Sequence, residues 1–94
     1  MTAKKRSARV PRPVLYVLMA VSRAAAGKPH HRFSHPRFYI RVADLRLPLN
    51  RLRADAAIML AVLSGLLTAR GDPAHSVALT EAGRGLLRQR RMID

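Results

Sequence analysis

The sequence predicts a mainly α fold with one small β-hairpin, and three observations carry that expectation. The chain has 94 residues, which is room for one modest core and no second domain. Its hydrophobic content is 49%, yet it has only two Tyr, two Phe and no Trp, so Leu, Val, Ala and Met on helices must fill that core. Two short apolar runs flank Arg70-Gly71-Asp72-Pro73-Ala74-His75, a stretch of turn formers that marks a hairpin.

The elements follow in order. Residues 1–12, MTAKKRSARVPR, hold little apolar surface, so a flexible basic arm is expected ahead of a folded domain at 13–94. Pro13 suits a first helical position, and VLYVLMAVSRAAA carries a helix to residue 26, where Gly27 and Pro29 stop it. Residues 27–37, GKPHHRFSHPR, have two prolines and no sustained period, which predicts a loop. In 38–50, Ile40-Arg41-Val42 alternates like a strand, while Val42, Leu45 and Leu49 recur at helical spacing; a short strand entering a helix that ends before Pro48 is expected.

Asn50 is a good N-cap for a helix from Leu52 to Ser64, with Gly65 past its end. Leu66–Ala69 and Ser76–Leu79 form the hairpin. Thr80 caps a last helix that has Glu81 in its first turn and Arg84, Arg88, Arg90 and Arg91 nearer its C-terminal end. Gly83 and Gly85 are expected to weaken it locally.

Eighteen Lys and Arg against five Asp and Glu give a net charge of +13, which points to a polyanionic partner. The excess lies in the front half: residues 1–43 hold ten basic side chains and no acid, and 44–94 hold eight against five. There is no cysteine, which excludes disulfides and thiolate metal sites. No apolar run reaches 18 residues, so no transmembrane helix is expected. Lys4-Lys5-Arg6, the apolar run at 14–21 and Ala24-Ala25-Ala26 imitate a signal peptide, but Pro11, Pro13 and Arg23 interrupt the pattern, and an uncleaved chain is expected.

Helix, short loop, helix, Gly, hairpin, helix is the element order of a winged helix-turn-helix. The segment Gly65-Leu66-Leu67-Thr68-Ala69-Arg70, a turn, then Val77-Ala78-Leu79-Thr80-Glu81-Ala82-Gly83-Arg84-Gly85-Leu86-Leu87 resembles bacterial winged-helix regulators of the multiple-antibiotic-resistance repressor type. The likeness covers about a third of the chain. It implies a protein that docks one helix in the DNA major groove and lays its hairpin along the backbone or into the minor groove.

Under that reading Asn50, Arg51 and Arg53, at the start of the helix ahead of the hairpin, are the candidate base contacts, because Arg pairs with guanine and Asn with adenine. Candidate phosphate contacts are Lys4, Lys5, Arg6, Arg9 and Arg12 of the arm, Lys28, Arg32 and Arg37 of the loop, Arg70 at the base of the hairpin and Arg84 of the last helix. A cytoplasmic, nucleoid-associated transcription regulator acting as a homodimer on double-stranded DNA is the expected function, with no cofactor. His30, His31 and His35 share the loop, but no acid precedes residue 44, so a phosphate-contacting loop is expected rather than a metal site. Asp44, Asp55, Asp72, Glu81 and Asp94 form no spaced pair, and no enzyme is expected.

One segment favours a different class. AAIMLAVLS, 56–64, is uncharged, so its helix is apolar all round and has more than one face to bury. A winged-helix module that docks on a larger nucleic-acid machine, using the apolar helix 52–64 as its contact, is the alternative. An RNA-binding or ribosomal protein also fits the charge.

Overall fold

The computed structural model describes residues 10–26, 39–71 and 73–91. Lys4, Lys5, Arg6 and Arg9 of the expected arm, and Lys28, His30, His31, Arg32, His35 and Arg37 of the expected loop, lie outside the described residues. The described part is mainly helical, with three helices and a small three-stranded antiparallel sheet.

Helix α1 runs Arg12–Ala26. The Pro11 carbonyl accepts from Val14 N–H at 3.0 Å and Leu15 N–H at 3.3 Å, so the helix starts one residue earlier than expected. Pro13 falls in the first turn, where its missing N–H costs nothing. Arg12, expected in the arm, is the first helical residue. Val14, Val17, Leu18 and Val21 are buried, the i, i+3, i+4, i+7 stripe of a core-facing helix.

Strand β1, Ile40–Arg41, enters a single 3-10 turn at Val42–Asp44. The helix expected from 42 to before Pro48 is absent. Leu45, Leu47 and Leu49 are half-buried against the core while Arg46, Pro48 and Asn50 are exposed, which is the period of two of an extended chain. Pro48 supplies the reason, because it disfavours helical backbone at the residue before it.

Helix α2 is Arg51–Leu63. Asn50 caps it, its side-chain oxygen accepting from Arg53 N–H at 2.8 Å. At the far end Gly65 takes φ +77, Gly65 N–H donates to Val62 O and Leu66 N–H to Ala61 O. This is the Schellman arrangement, and it uses a residue without a Cβ at the left-handed position. Leu66 is thereby committed to the helix end, so strand β2 is Leu67–Arg70 rather than 66–69.

Strand β3, Ser76–Leu79, is central, pairing with β2 as Leu67↔Leu79 and Ala69↔Val77 and with β1 as Ile40↔Val77. The inward residues Ile40, Leu67, Val77 and Leu79 are buried against α1 and the last helix. That helix, α3, is Glu81–Gln89. Arg90 and Arg91, expected inside it, follow its last turn.

Thr80 joins three elements. Its hydroxyl donates to Gly65 O at 2.7 Å and accepts from Gly83 N–H at 3.0 Å, and its backbone N–H donates to Leu66 O. Gly83 lies so close to the Leu66 carbonyl that a Cβ there would collide with it, whereas a Cβ at Gly85 meets nothing. Of the two glycines expected to weaken this helix, the first is required by a backbone contact.

The two glycines are therefore expected to respond with opposite sign. Gly85→Ala gains roughly 0.5–1 kcal/mol from helix propensity, and Gly83→Ala loses about 1–3 kcal/mol by overpacking against a carbonyl that cannot swing away. Thermal melts of both variants check this. Thr80→Ala is expected to cost about 0.5–2 kcal/mol and Thr80→Ser much less, since serine keeps the capping oxygen.

Candidate nucleic-acid interface

Directly paired residues on adjacent strands project to the same side of a sheet. Arg41 and Arg70 both pair with Ser76, one from each flanking strand. Both guanidinium groups therefore rise from the outer face, opposite the row of buried Ile40 and Val77 and half-buried Ala69, from strands about 10 Å apart. Arg70 lies at the turn end of the hairpin rather than at its base, and its Cζ sits 4.2 Å from the centroid of the Tyr39 ring. Stacking on an aromatic face holds a guanidinium without neutralising it. His75 adjoins this row, its Nδ1 3.1 Å from Ser76 Oγ.

Eleven arginines and the acids Asp44, Asp55 and Glu81 fall among the described residues. Arg41 Nε pairs with Asp44 at 3.3 Å, and Arg51 Nε meets Asp55 at 4.0 Å. Both pairs are solvated surface contacts, each worth at most about 1 kcal/mol. Arg12, Arg23, Arg46, Arg53, Arg70, Arg84, Arg88, Arg90 and Arg91 have no acidic partner among the described residues.

The expected base-contacting residues are adjacent but not equivalent. Asn50 Oδ1 is engaged by Arg53 N–H, so bidentate pairing with adenine, which needs both the oxygen and the nitrogen of the carboxamide, would cost the cap. Arg51 and Arg53 are exposed and leave the first turn of α2 on opposite flanks, about 160° apart at 3.6 residues per turn. Arg84 is half-buried on α3.

Between those flanks α2 has two apolar faces. Ala57, Ile58 and Ala61 are buried, while Leu52, Ala56, Met59 and Leu63 are exposed on the opposite side. The helix buries mostly small side chains and displays large ones. A groove of about 240 Å³ separates this outer face from the hairpin, lined by Met59, Val62, Leu63, Ala69 and Ala74 among others.

No protein-family model, curated protein or solved structure matches this chain. The winged-helix likeness therefore rests on the element order and the Gly65–Leu87 pattern alone.

Sequence reasoning missed Arg41 and Tyr39. The alternation at Ile40-Arg41-Val42 carried the signal for Arg41, since a strand whose Ile points inward must point its Arg outward. Nothing in the sequence pairs Tyr39 with Arg70, a contact that exists only once β1 docks on β3. Among the described residues no cluster of His, Cys, Asp or Glu is arranged to hold a metal, and no helix is long and apolar enough to cross a membrane.

Proposed function

We propose that this chain binds double-stranded DNA through a winged-helix-like scaffold and acts as a small transcription regulator associated with the nucleoid. The single observation that carries the reading is the arginine surface: nine described arginines without acidic partners, on a chain of net charge +13. Such a surface attracts a dense line of phosphates and gains free energy by releasing their counterions.

The element order supports the scaffold, and the place of the helix before α2 is taken by the 3-10 turn Val42–Asp44. Arg41 and Arg70 at the hairpin end, Arg12 at the start of α1, Arg84 on α3 and the basic positions Lys4, Lys5, Arg6, Arg9, Lys28, Arg32 and Arg37 supply phosphate contacts in this reading. Base contacts are confined to Arg51 and Arg53, because the rest of the outer face of α2 offers a double helix only apolar groups.

The exposed stripe of α2 favours a second reading, a module that docks on another protein. Exposed apolar patches of this kind mark protein contacts more than nucleic-acid contacts.

Binding to duplex DNA at two or more salt concentrations separates the readings. Replacing Lys4, Lys5, Arg6 and Arg9 by Ala is expected to weaken binding to every duplex and to flatten the slope of log K against log salt by up to about 3.6. Arg51→Ala and Arg53→Ala are expected to cost about 1–3 kcal/mol on a preferred site and little on random DNA. Normal DNA binding by the arm variant, with loss of a protein partner in the α2 variants, would establish the docking module instead.

A further inference from the structure

The large hydrophobic side chains left exposed among the described residues all sit on one helix: Leu52 at 79%, Met59 at 64%, Leu60 at 41% and Leu63 at 78%. Leu52, Ala56, Met59 and Leu63 fall within about 60° of arc on α2, at spacings of four, three and four residues. This is the seam spacing of a helix that packs along another helix. It lies on the side of α2 away from its own core, so nothing in the chain's described fold uses it.

We infer that this stripe pairs with the same stripe of a second copy of the chain, the two α2 helices running antiparallel about a twofold axis. The spacing is the first argument. Four, three, four reads the same from either end, so the stripe is complementary to its own reversal: Leu52 meets Leu63 of the second copy, and Ala56 meets Met59. A twofold contact requires such self-complementarity, and opposing the small Ala56 to the long Met59 lets the helices approach.

Charge is the second argument. A parallel pair would set Arg51 and Arg53 against the same arginines of the other copy. In the antiparallel pair the arginines of one α2 lie beside the last turn of the other, which is the negative end of the helix dipole and carries no side-chain charge.

The contact is a reversible one. A 13-residue helix offers a seam only about 20 Å long, too short for one helix face to bury the roughly 800 Å² per partner of a standard interface. Each copy also carries a charge of +13, so mutual repulsion opposes association until salt screens it. Self-association therefore strengthens with salt, opposite in sign to binding of nucleic acid. The inference stands apart from the DNA reading, and its test contains no DNA.

Sedimentation equilibrium of the full chain at low and at high salt is expected to show a monomer–dimer equilibrium that shifts toward dimer as salt rises. Met59→Glu and, separately, Leu63→Lys, which sets a like charge beside Arg51 and Arg53 of the second copy, are expected to raise the midpoint concentration at least about tenfold. Both side chains are exposed in the monomer, so helical circular dichroism should stay unchanged. Orientation is read by cross-linking, since the chain has no cysteine of its own. A mixture of Leu52→Cys and Leu63→Cys chains, one of them enlarged by a tag, is expected to form the mixed disulfide. Neither alone should cross-link, because like positions sit about 16 Å apart along the axis, beyond the reach of a disulfide. A monomer at both salts, a dimer indifferent to both substitutions, or ready self-cross-linking of Leu52→Cys would each overturn the inference.

Discussion

The described structure hangs on the joint where the end of α2 meets the start of α3. The Leu66 carbonyl accepts Thr80 N–H and lies against Gly83, while the Thr80 hydroxyl spans from the Gly65 carbonyl to the Gly83 N–H. The two ends of the hairpin are thus tied to each other just outside its first strand pair, Leu67↔Leu79. Because a one-residue slip would turn Val77 and Leu79 outward, this tie also sets which side of the sheet meets α1. Gly65, with φ +77, makes the reversal that lets α2 deliver the chain to that point. The pattern Gly65-Leu66-Leu67, then Leu79-Thr80, then Gly83 is a mechanical device, and it says nothing about a ligand.

That separation of scaffold from site explains what was legible in the sequence. The α2 boundaries, its Asn50 cap, its Gly65 stop, the hairpin and the Thr80 cap are local chemistry, written within a few residues of where they act. The segment 42–49 carries two periods at once, since Val42, Leu45 and Leu49 have helical spacing while Leu45, Leu47 and Leu49 have strand spacing. Pro48 and the docking of the extended chain on the core favoured the second. The strand Ile40–Arg41 was visible, but its partner was not: pairing to Val77 and Ser76 spans more than thirty residues, and no local signal reports it. Tyr39 and Arg70 became neighbours only through that pairing, so the arginine row on the outer sheet face was legible as charge and not as geometry.

The glycines of α3 make the same distinction within five residues. Both weaken a helix by propensity, and a sequence reading treats Gly83 and Gly85 alike. Packing separates them, because one abuts the Leu66 carbonyl and the other faces open space. Propensity is a property of the residue, whereas the need for a missing Cβ is a property of its neighbours.

The composition of α2 ties these threads to function. A short chain with few aromatics builds its core from aliphatic side chains, and α2 contributes mostly alanine to it, Ala57 and Ala61 beside Ile58. Leu52, Met59 and Leu63 are outside because they lie opposite Ala57, Ile58 and Ala61 on the helix that a winged-helix reading assigns to the major groove. The two proposed roles divide this helix: Arg51 and Arg53 at its first turn would suit DNA, while the exposed apolar length behind them would suit a second helix. Salt would act on the two in opposite directions, weakening arginine contacts to phosphate and relieving the repulsion between two chains of +13. Under the proposed DNA and dimer readings the charged surfaces would hold nucleic acid and the apolar stripe a second copy, with ionic strength tipping the balance between them.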